Sequence, residues 1–188
     1  GGGSADAAAT LRALNKVTST PLSDEQLFTI AANLGSDVPV CLASTPHRIK
    51  GTGDVIQELE RIPAGALLLV NPLVPLSTAN VFKQLTPPYN QPLPETIRYD
   101  TVYLCEFGND LEAAATVFVP EISDLLTRLR RTPACSAAQM SGSGASCFGI
   151  FDDIDTANIV AATFKKDGVW AQATKLYSID APTDGVSS

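Results

Sequence analysis

Residues 137–151 have the sequence AAQMSGSGASCFGIF, in which two short apolar runs flank a loop of serine and glycine. Apolar runs of this length, bounded by small turn residues, are typical of buried strands. We therefore predict strands over 137–140 and 146–151, joined by the loop Ser141–Gly144. Such a hairpin can bring the loop backbone close to another loop or to a phosphate, although tight-turn chemistry explains the glycines equally well.

Helical and strand patterns alternate on both sides of this hairpin. The other predicted elements are a strand over 66–70, a helix over 77–85, a helical pair over 109–131 that breaks near Pro120, a helix over 156–166 and a strand over 169–179. The resulting order is β-α-β-β-α-β. This order predicts an α+β fold of the ferredoxin-like type, in which helices cover one face of an antiparallel sheet.

The chain opens with Gly1, Gly2 and Gly3, followed by Ser4. We predict a helix from Ala5 onward with Ser4 as its N-cap. Glycines before a helix N-terminus allow close backbone approach to an anion, and the helix end adds partial positive charge, so the segment is a candidate phosphate site. A flexible linker is the alternative. The absence of an initiating methionine leads us to expect the distal part of a longer protein.

Asp37 is the candidate catalytic carboxylate. It follows a predicted amphipathic helix that is capped by Ser23 and ended by Gly35. Pro39 is expected to exclude a helix interior and to hold Val38 extended, which places Asp37 in a tight connection. A carboxylate there can accept the proton of a substrate hydroxyl during phosphoryl transfer. From the residue alone, capping of a turn is the more common role.

The composition is that of a folded, acidic chain. The 188 residues are enough for one domain or one domain and a fraction, and 45% of them are hydrophobic, which predicts a buried core and excludes low-complexity classes. The 20 acidic and 13 basic residues give a formal net charge of −7. Because such a surface repels nucleic acid on average, we expect no nucleic-acid partner.

The cysteine pattern and the lengths of the apolar runs give an expectation about the cellular compartment. Cys41, Cys105, Cys135 and Cys147 form neither a C-x-x-C pair nor a cluster with histidine, so neither zinc nor a disulfide framework is indicated. No apolar run approaches the ~20 residues that cross a bilayer. We therefore expect free thiols, no membrane partner and a cytoplasmic location.

Three other side chains give weaker evidence about function. His47, the single histidine, is predicted to be a solvated turn residue, which gives a metal site or a Ser-His hydrolase little support. From the residue alone, Phe82 is expected to be a core residue of its helix rather than a platform for a base. Trp170 is expected to pack within the last strand.

Three motifs, in this order, resemble those of the GHMP kinase superfamily. They are GGGSADAA at 1–8, LGSDVPV at 34–40 and MSGSGA at 140–145, and CEFGND at 105–110 is similar to the family's stretch ahead of a long helix. The resemblance covers nearly the whole chain and implies the C-terminal part of a GHMP-kinase fold. It implies the remainder of an ATP- and phosphate-binding domain over 1–62, the ferredoxin-like domain over 63–180 and a frayed tail over 181–188.

The resemblance also implies an activity. It implies a kinase that uses ATP and Mg²⁺ to phosphorylate the 2-hydroxyl of 4-CDP-2-C-methyl-D-erythritol in non-mevalonate isoprenoid biosynthesis, with Asp37 as the base that activates this hydroxyl. The other implied site residues are Gly1, Gly2, Gly3, Ser4 and Ala5 for the ATP phosphates, Gly142, Ser143 and Gly144 as support for that phosphate loop, and Thr78 and Phe82 for the substrate, with Phe82 stacking on cytosine. Neither the Mg²⁺ ligands nor the oligomeric state is implied.

Two departures from the family pattern limit this interpretation. Ala5 stands where many members have a second serine, which removes one hydroxyl contact. The family's first half, with the lysine that pairs with the catalytic aspartate and the residues that hold cytidine, has no counterpart. Because phosphoryl transfer depends on positioning and charge stabilisation, we expect this chain alone to be nearly inactive. A kinase for another small alcohol and a noncatalytic binding fragment stay open as alternatives.

Overall fold

The computed structural model describes residues 2–45, 47–50, 55–58, 65–90, 94 and 100–176. The chain divides into two units, residues 1–61 and 62–188. The elements of the first unit are α1 (Gly2–Val17), α2 (Asp24–Leu34), α3 (Val38–Ala43), β1 (His47–Lys50) and β2 (Val55–Glu58). Those of the second are β3 (Ala66–Asn71), α4 (Thr78–Gln84), α5 (Thr101–Cys105), α6 (Leu111–Phe118), α7 (Glu121–Arg131), β4 (Ala137–Met140), β5 (Cys147–Phe151), α8 (Ile154–Lys166) and β6 (Trp170–Lys175).

Helix α1 begins earlier than predicted. Gly2 and Gly3 are part of the helix, so Ser4 lies within its first turn and the prediction of Ser4 as the N-cap is wrong. The backbone N–H groups of the first turn have no partner within a helix, and neither glycine has a positive φ, so the chain can become helical before the good helix formers begin. Gly1 lies outside the described residues.

Helix α2 has the predicted start and end. The hydroxyl of Ser23 accepts a hydrogen bond from the backbone N–H of Gln26, and the Gln26 side chain accepts one from the N–H of Ser23, which completes the capping box. Gly35 ends the helix with φ 158° and ψ 154°, a backbone conformation found almost only at glycine. The glycine in the sequence LGSD is thus required by the backbone.

Helix α3 begins where an extended residue was predicted. Val38 is its first residue and Pro39 lies in its first turn, so the expectation of an extended Val38 is wrong. Proline is accepted at this position because the N–H that it lacks would have had no partner within the helix. Asp37 occupies the N-cap position, in the short connection between α2 and α3.

Strands β1 and β2 pair in antiparallel fashion. His47 is the first residue of β1 and half-buried, with its Nδ1 2.6 Å from the carbonyl oxygen of Thr45. It is therefore a strand residue and not the solvated turn residue predicted from the sequence.

The second unit is built on one antiparallel sheet. Its strand order is β4-β5-β3-β6, with β3 paired to β5 on one side and to β6 on the other. Strands β4 and β5 form the predicted hairpin. In chain order, helices separate β3 from β4 and α8 separates β5 from β6. This is the ferredoxin-like arrangement, and it confirms the predicted α+β class.

The core of the second unit lies between the sheet and helices α7 and α8. Ala66, Leu68 and Val70 of β3 are fully buried whereas the residues between them are half-buried, because successive side chains of a strand point to opposite faces. The helix residues that complete this core are Ile122, Leu125, Leu126 and Leu129 of α7 and Ala157, Ala161 and Phe164 of α8. Arg128 of α7 also lies over the Phe164 ring at 4.0 Å and pairs with Asp167 at 2.8 Å.

Some boundaries differ from those predicted. Helix α5 was not predicted; it is capped by Asp100, whose carboxylate accepts from the N–H groups of Val102 and Tyr103. Helix α8 begins two residues early, because the Asp153 carboxylate caps it through the N–H of Thr156. Trp170 is 45% exposed at the start of β6 rather than packed. The predicted end of this strand at 177–179 and the tail over 181–188 lie outside the described residues.

All four cysteines are free thiols, as the sequence predicts. Cys147 is completely buried in the sheet, and this burial raises the pKa of its thiol to about 12. Among the described residues, every helix is too short or too polar to cross a membrane.

Candidate functional site

The first unit places the start of α1 near the start of α3. Helix α2 returns antiparallel to α1, since the Asn15 side chain near the end of α1 holds the turn before α2 through two hydrogen bonds to the backbone of Leu22. Ala8, Ala31 and Val38 then meet in one buried cluster. The end of α2, and therefore Asp37, lies beside the first half of α1.

Arg12 supports the same arrangement. One turn after Ala8, its guanidinium donates hydrogen bonds to the carbonyls of Cys41 and Leu42 and to the Ser44 hydroxyl, all at the C-terminal end of α3. Helices α1 and α3 thus run in the same direction. Their N-terminal ends, with the glycine turn on one helix and Asp37 on the other, face the same side of the three-helix layer.

The first turn of α1 is unobstructed. A Cβ built on Gly2 or Gly3 would meet no heavy atom within 4 Å. Glycine in a helix costs about 0.5–1 kcal/mol relative to alanine, and the described residues provide neither a left-handed φ nor a close contact that explains it here. Ser4, half-buried, lies one turn before Ala8 on the face toward α3, and Ala5 is exposed. The segment therefore has no neighbouring atoms where side chains at positions 2 and 3 would lie.

Asp37 is exposed, and its side chain makes no capping hydrogen bond to α3 although it occupies the N-cap position. The side chain therefore does not act as a cap of α3. Its backbone carbonyl accepts from the N–H of Cys41 as the first bond of α3. The carboxylate sits at a rigid junction between two helices that both pack on α1.

In the second unit, the loop between β4 and β5 depends on two glycines for different reasons. Gly142 and Gly144 have φ values of 54° and 85°, in the left-handed region. A Cβ on Gly144 would lie 2.8 Å from Met140 Sδ and 3.1 Å from Leu76 Cδ2, whereas one on Gly142 would meet nothing within 4 Å. Gly144 is thus packed against the core, and Gly142 faces open space.

Two of the predicted site residues meet directly. Thr78 Oγ1 lies 2.9 Å from Ser143 Oγ, so the first turn of α4 is hydrogen-bonded to the tip of the loop. The two residues are 65 positions apart in sequence. Ser77 caps α4 through the N–H of Asn80 and fixes the first turn that carries Thr78. The predicted substrate contact and the predicted loop are therefore neighbours.

Phe82 is not a core residue. It is 56% exposed, while Val81 beside it is completely buried, so the sequence-based expectation of a core role is wrong. Phe82 lies four residues after Thr78, which places both side chains on one face of α4. An open cleft of about 550 Å³ at the start of this helix is lined by Pro75, Leu76, Ser77, Asn80 and Phe118.

Sequence reasoning missed two asparagines that hold the loop and its base. Asn109 donates from Nδ2 to the carbonyls of Met140 and Gly142 at 2.9 and 2.8 Å. Asn71 donates to Ser146 Oγ at 2.8 Å and accepts from the N–H of Leu73. Asn109 lies two residues before α6, in a turn where asparagine is common, so its sequence position gave no sign of the loop contact.

The described residues contain no group of three or more His, Cys, Asp or Glu side chains that could hold a metal ion. In phosphoryl transfer, Mg²⁺ usually keeps several waters and is held by phosphates with one or two protein oxygens. The candidate oxygen at the glycine turn is the Ser4 hydroxyl.

Two family models match the chain. The model described as GHMP kinases N terminal domain matches residues 1–45, and the one described as GHMP kinases C terminal matches residues 102–169. The first match contains the glycine turn and Asp37, and the second contains Asn109 and the loop 142–144.

Curated relatives carry one name. Proteins named 4-diphosphocytidyl-2-C-methyl-D-erythritol kinase from Agrobacterium fabrum, Rhizobium etli and Paracoccus denitrificans are 40%, 45% and 43% identical to this chain over 88%, 86% and 94% of its length. The matches cover 57%, 55% and 63% of those relatives. The chain therefore spans little more than half the length of the proteins it resembles.

Solved structures agree on the fold. A crystal structure of 4-(cytidine 5′-diphospho)-2C-methyl-D-erythritol kinase superposes with a TM-score of 0.72 at 26% identity, covering 93% of this chain and 64% of that one. A homoserine kinase from Cytophaga hutchinsonii superposes over the same shares with a TM-score of 0.63 at 14% identity, which shows likeness of fold alone.

The two loop glycines should respond differently to alanine. Gly142→Ala is expected to lower the free energy of unfolding by about 1–2 kcal/mol, because only the left-handed φ opposes it. Gly144→Ala is expected to cost about 1–3 kcal/mol more, because the methyl group must also displace Met140 and Leu76. Urea unfolding of both variants measures the difference. Equal losses would contradict the packing role of Gly144.

Proposed function

The chain belongs to the GHMP kinase family, and we propose that it forms part of an ATP-dependent kinase that phosphorylates the 2-hydroxyl of 4-CDP-2-C-methyl-D-erythritol. The observation that carries this proposal is the parallel packing of α1 and α3, which brings the unobstructed glycine turn and Asp37 to the same end of one helix layer. The names of the curated relatives support the choice of substrate. We place the enzyme in the cytoplasm and in isoprenoid biosynthesis.

The glycine turn is proposed to bind the phosphates of ATP. Helix N-termini present N–H donors and partial positive charge, which together suit an anion. Gly2, Gly3, Ser4 and Ala5 are the described residues of this turn, and Gly1 is included in the proposal. Because a side chain is absent at positions 2 and 3, a phosphate can reach the N–H groups without a steric barrier.

Asp37 is proposed as the catalytic base. Its carboxylate accepts the proton of the 2-hydroxyl as the oxygen attacks the γ-phosphate, so the developing alkoxide never carries a full charge. A base on a junction between two packed helices keeps its position without rearrangement, which favours the reaction because phosphoryl transfer depends on positioning. The Ser4 hydroxyl is the candidate to hold Mg²⁺, which would supply neutralisation of phosphate charge when bound.

The second unit is proposed to contact the substrate and support the phosphate loop. Thr78 is proposed to contact the alcohol substrate, and Phe82 is proposed to stack on cytosine. The exposed position of the Phe82 ring supports this role, since a solvated ring face is available to a base. Gly142, Ser143 and Gly144 are proposed to support phosphate binding.

The activity is proposed for a protein as long as the curated relatives, of which this chain forms a part. Since rate in phosphoryl transfer comes from positioning and charge stabilisation, we expect the 188 residues alone to turn over slowly. The assay is ATP-dependent phosphorylation of 4-CDP-2-C-methyl-D-erythritol, made on this chain and on the longest reading frame that contains it. If the longer form binds ATP but phosphorylates only other small alcohols, the proposed substrate is wrong. If it has no kinase activity, the alternative of a noncatalytic binding fragment is favoured.

Asp37→Asn in the longer form should lower kcat by roughly 10²- to 10⁴-fold, as expected for removal of a general base. The affinity for ATP should change little, because the amide keeps the shape of the side chain. Asp24→Asn is the matched control, since Asp24 is an exposed carboxylate at the start of the neighbouring helix α2. A kcat for Asp37→Asn equal to that of the control would remove Asp37 as the base.

Gly3→Ala should separate stability from function. We expect it to raise the free energy of unfolding by about 0.5–1 kcal/mol, because alanine loses less backbone entropy in a helix. The same variant should bind ATP more weakly, because its methyl group enters the space in front of the first turn. Ala13→Gly, at an exposed position later in α1, is expected to lower the free energy of unfolding and to leave ATP binding unchanged. Urea unfolding and nucleotide titration measure both effects.

Phe82→Leu should raise the KM for the cytidine substrate roughly tenfold, which is the lower range for loss of one base stack. The KM for ATP should stay unchanged. Trp170→Leu, which removes another partly exposed aromatic ring, is the control and should alter neither constant. An unchanged KM for the cytidine substrate in Phe82→Leu would indicate that the base binds elsewhere.

A further inference from the structure

The turn before α6 contains a side chain whose amide nitrogen and carbonyl oxygen both make hydrogen bonds, to two separate elements. The Asn109 Nδ2 atom donates to the carbonyls of Met140 and Gly142, which are 31 and 33 residues away. Its Oδ1 atom accepts from the N–H of Leu111 at 2.9 Å, at the first residue of α6. One amide thus joins a helix N-terminus to the loop between β4 and β5.

Only some side chains can satisfy this arrangement. A primary amide has two N–H donors and a carbonyl acceptor, and Asn109 uses both kinds of group. Aspartate and serine can replace the acceptor at the helix start, but aspartate has no donor and serine has one. The contact to the loop therefore depends on the amide nitrogen, whereas the hydrogen bond from the N–H of Leu111 needs only an acceptor oxygen.

The contact also sets the direction of a peptide group. In a trans peptide the C=O and the N–H point in opposite directions, and the Gly142–Ser143 bond is trans. Because the Gly142 carbonyl points to Asn109, the N–H of Ser143 points to the opposite side of the loop. Gly142 faces open space, so a ligand can approach this stretch. Backbone N–H groups oriented in this way are the usual means of binding phosphate oxygens in a loop.

The support for Asn109 is itself rigid. Gly108 has a φ of 71°, and a Cβ there would lie 2.8 Å from Asn90 Nδ2, so the turn packs closely on residue 90. The Asp110 carboxylate accepts from the backbone N–H of Asn90 at 2.7 Å. From the other side, Ser143 is bonded to Thr78. The loop 142–144 is therefore held between the starts of α6 and α4.

We propose that Asn109 is a positioning residue for nucleotide binding, which fixes the loop 142–144 so that the backbone N–H of Ser143 faces a phosphate of ATP. This inference rests on the proposed kinase function, which supplies the nucleotide. Asn109 touches neither ATP nor the alcohol in this role. It acts through the Met140 and Gly142 carbonyls.

The test uses Asn109→Ser and Asn109→Asp in the longest reading frame that contains the chain. Both variants keep an acceptor for the N–H of Leu111, so the hydrogen bond to the start of α6 can still form, and neither has the amide nitrogen. We expect the KM and the Kd for ATP to rise roughly tenfold, as for loss of two neutral hydrogen bonds, while the KM for the cytidine alcohol changes less than about twofold. Amide hydrogen exchange at 142–144 should become faster.

Asn71→Ser and Asn71→Asp are the matched controls. Asn71 also combines one donated and one accepted hydrogen bond, but it contacts Ser146 and Leu73 instead of the loop tip. We expect the Asn71 variants to lower the free energy of unfolding by about as much as the Asn109 variants do, and to leave the ATP affinity unchanged. If they weaken ATP binding as much as the Asn109 variants do, the effect is general destabilisation and the proposal is overturned.

The remaining outcomes are distinguishable. If the wild-type protein binds ATP but does not phosphorylate the cytidine alcohol, the proposed substrate fails, whereas weaker ATP binding by the Asn109 variants still supports the positioning role. Unchanged ATP affinity and unchanged exchange at 142–144 in a folded Asn109→Ser overturn the positioning role even if the kinase activity is established. Should Asn109→Ser not fold, the same criteria apply to Asn109→Asp.

Discussion

Burial of one sheet face under α7 and α8 is the interaction on which the second unit depends. Strand β3 lies in the interior of the sheet, and its alternate residues Ala66, Leu68 and Val70 have no exposed surface. The helices supply the complementary apolar stripe. At about 25 cal/mol per Å² of apolar surface removed from water, such a layer is the main favourable term for a domain of this size.

The candidate site residues of each unit lie where helices begin. In the first unit, parallel packing of α1 and α3 places a glycine turn and Asp37 at the same end of a helix layer. In the second unit, the starts of α4 and α6 hold the loop through Thr78 and Asn109. Helix starts carry N–H groups without helical partners, so they are suited to anions and also bond readily to loops. One structural feature thus serves both ligand binding and support.

Glycine has three different roles in these segments. Gly35 and Gly144 are required by the fold, the first for its backbone conformation and the second also because a Cβ would contact Met140. Gly142 is required by its φ alone and faces open space. Gly2 and Gly3 have neither a positive φ nor a close contact within the described residues, and for them the proposed role is access of a phosphate to the helix N–H groups. A glycine-rich motif in sequence does not distinguish these cases.

The sequence by itself determined the β-α-β-β-α-β pattern of the second unit, the α+β class, the capping box of α2 and the motifs that resemble a kinase family. Those features are local, because periodicity, caps and turns involve residues a few positions apart. The tertiary structure decided what depends on distant contacts: the bond from Thr78 to Ser143 across 65 residues, the bonds from Asn109 to the loop, and the exposure of Phe82. It also corrected Ser4 and Val38, both of which lie inside helices. Side chains that meet across such separations leave no periodic signal, since only the packing of sheet and helices brings them together.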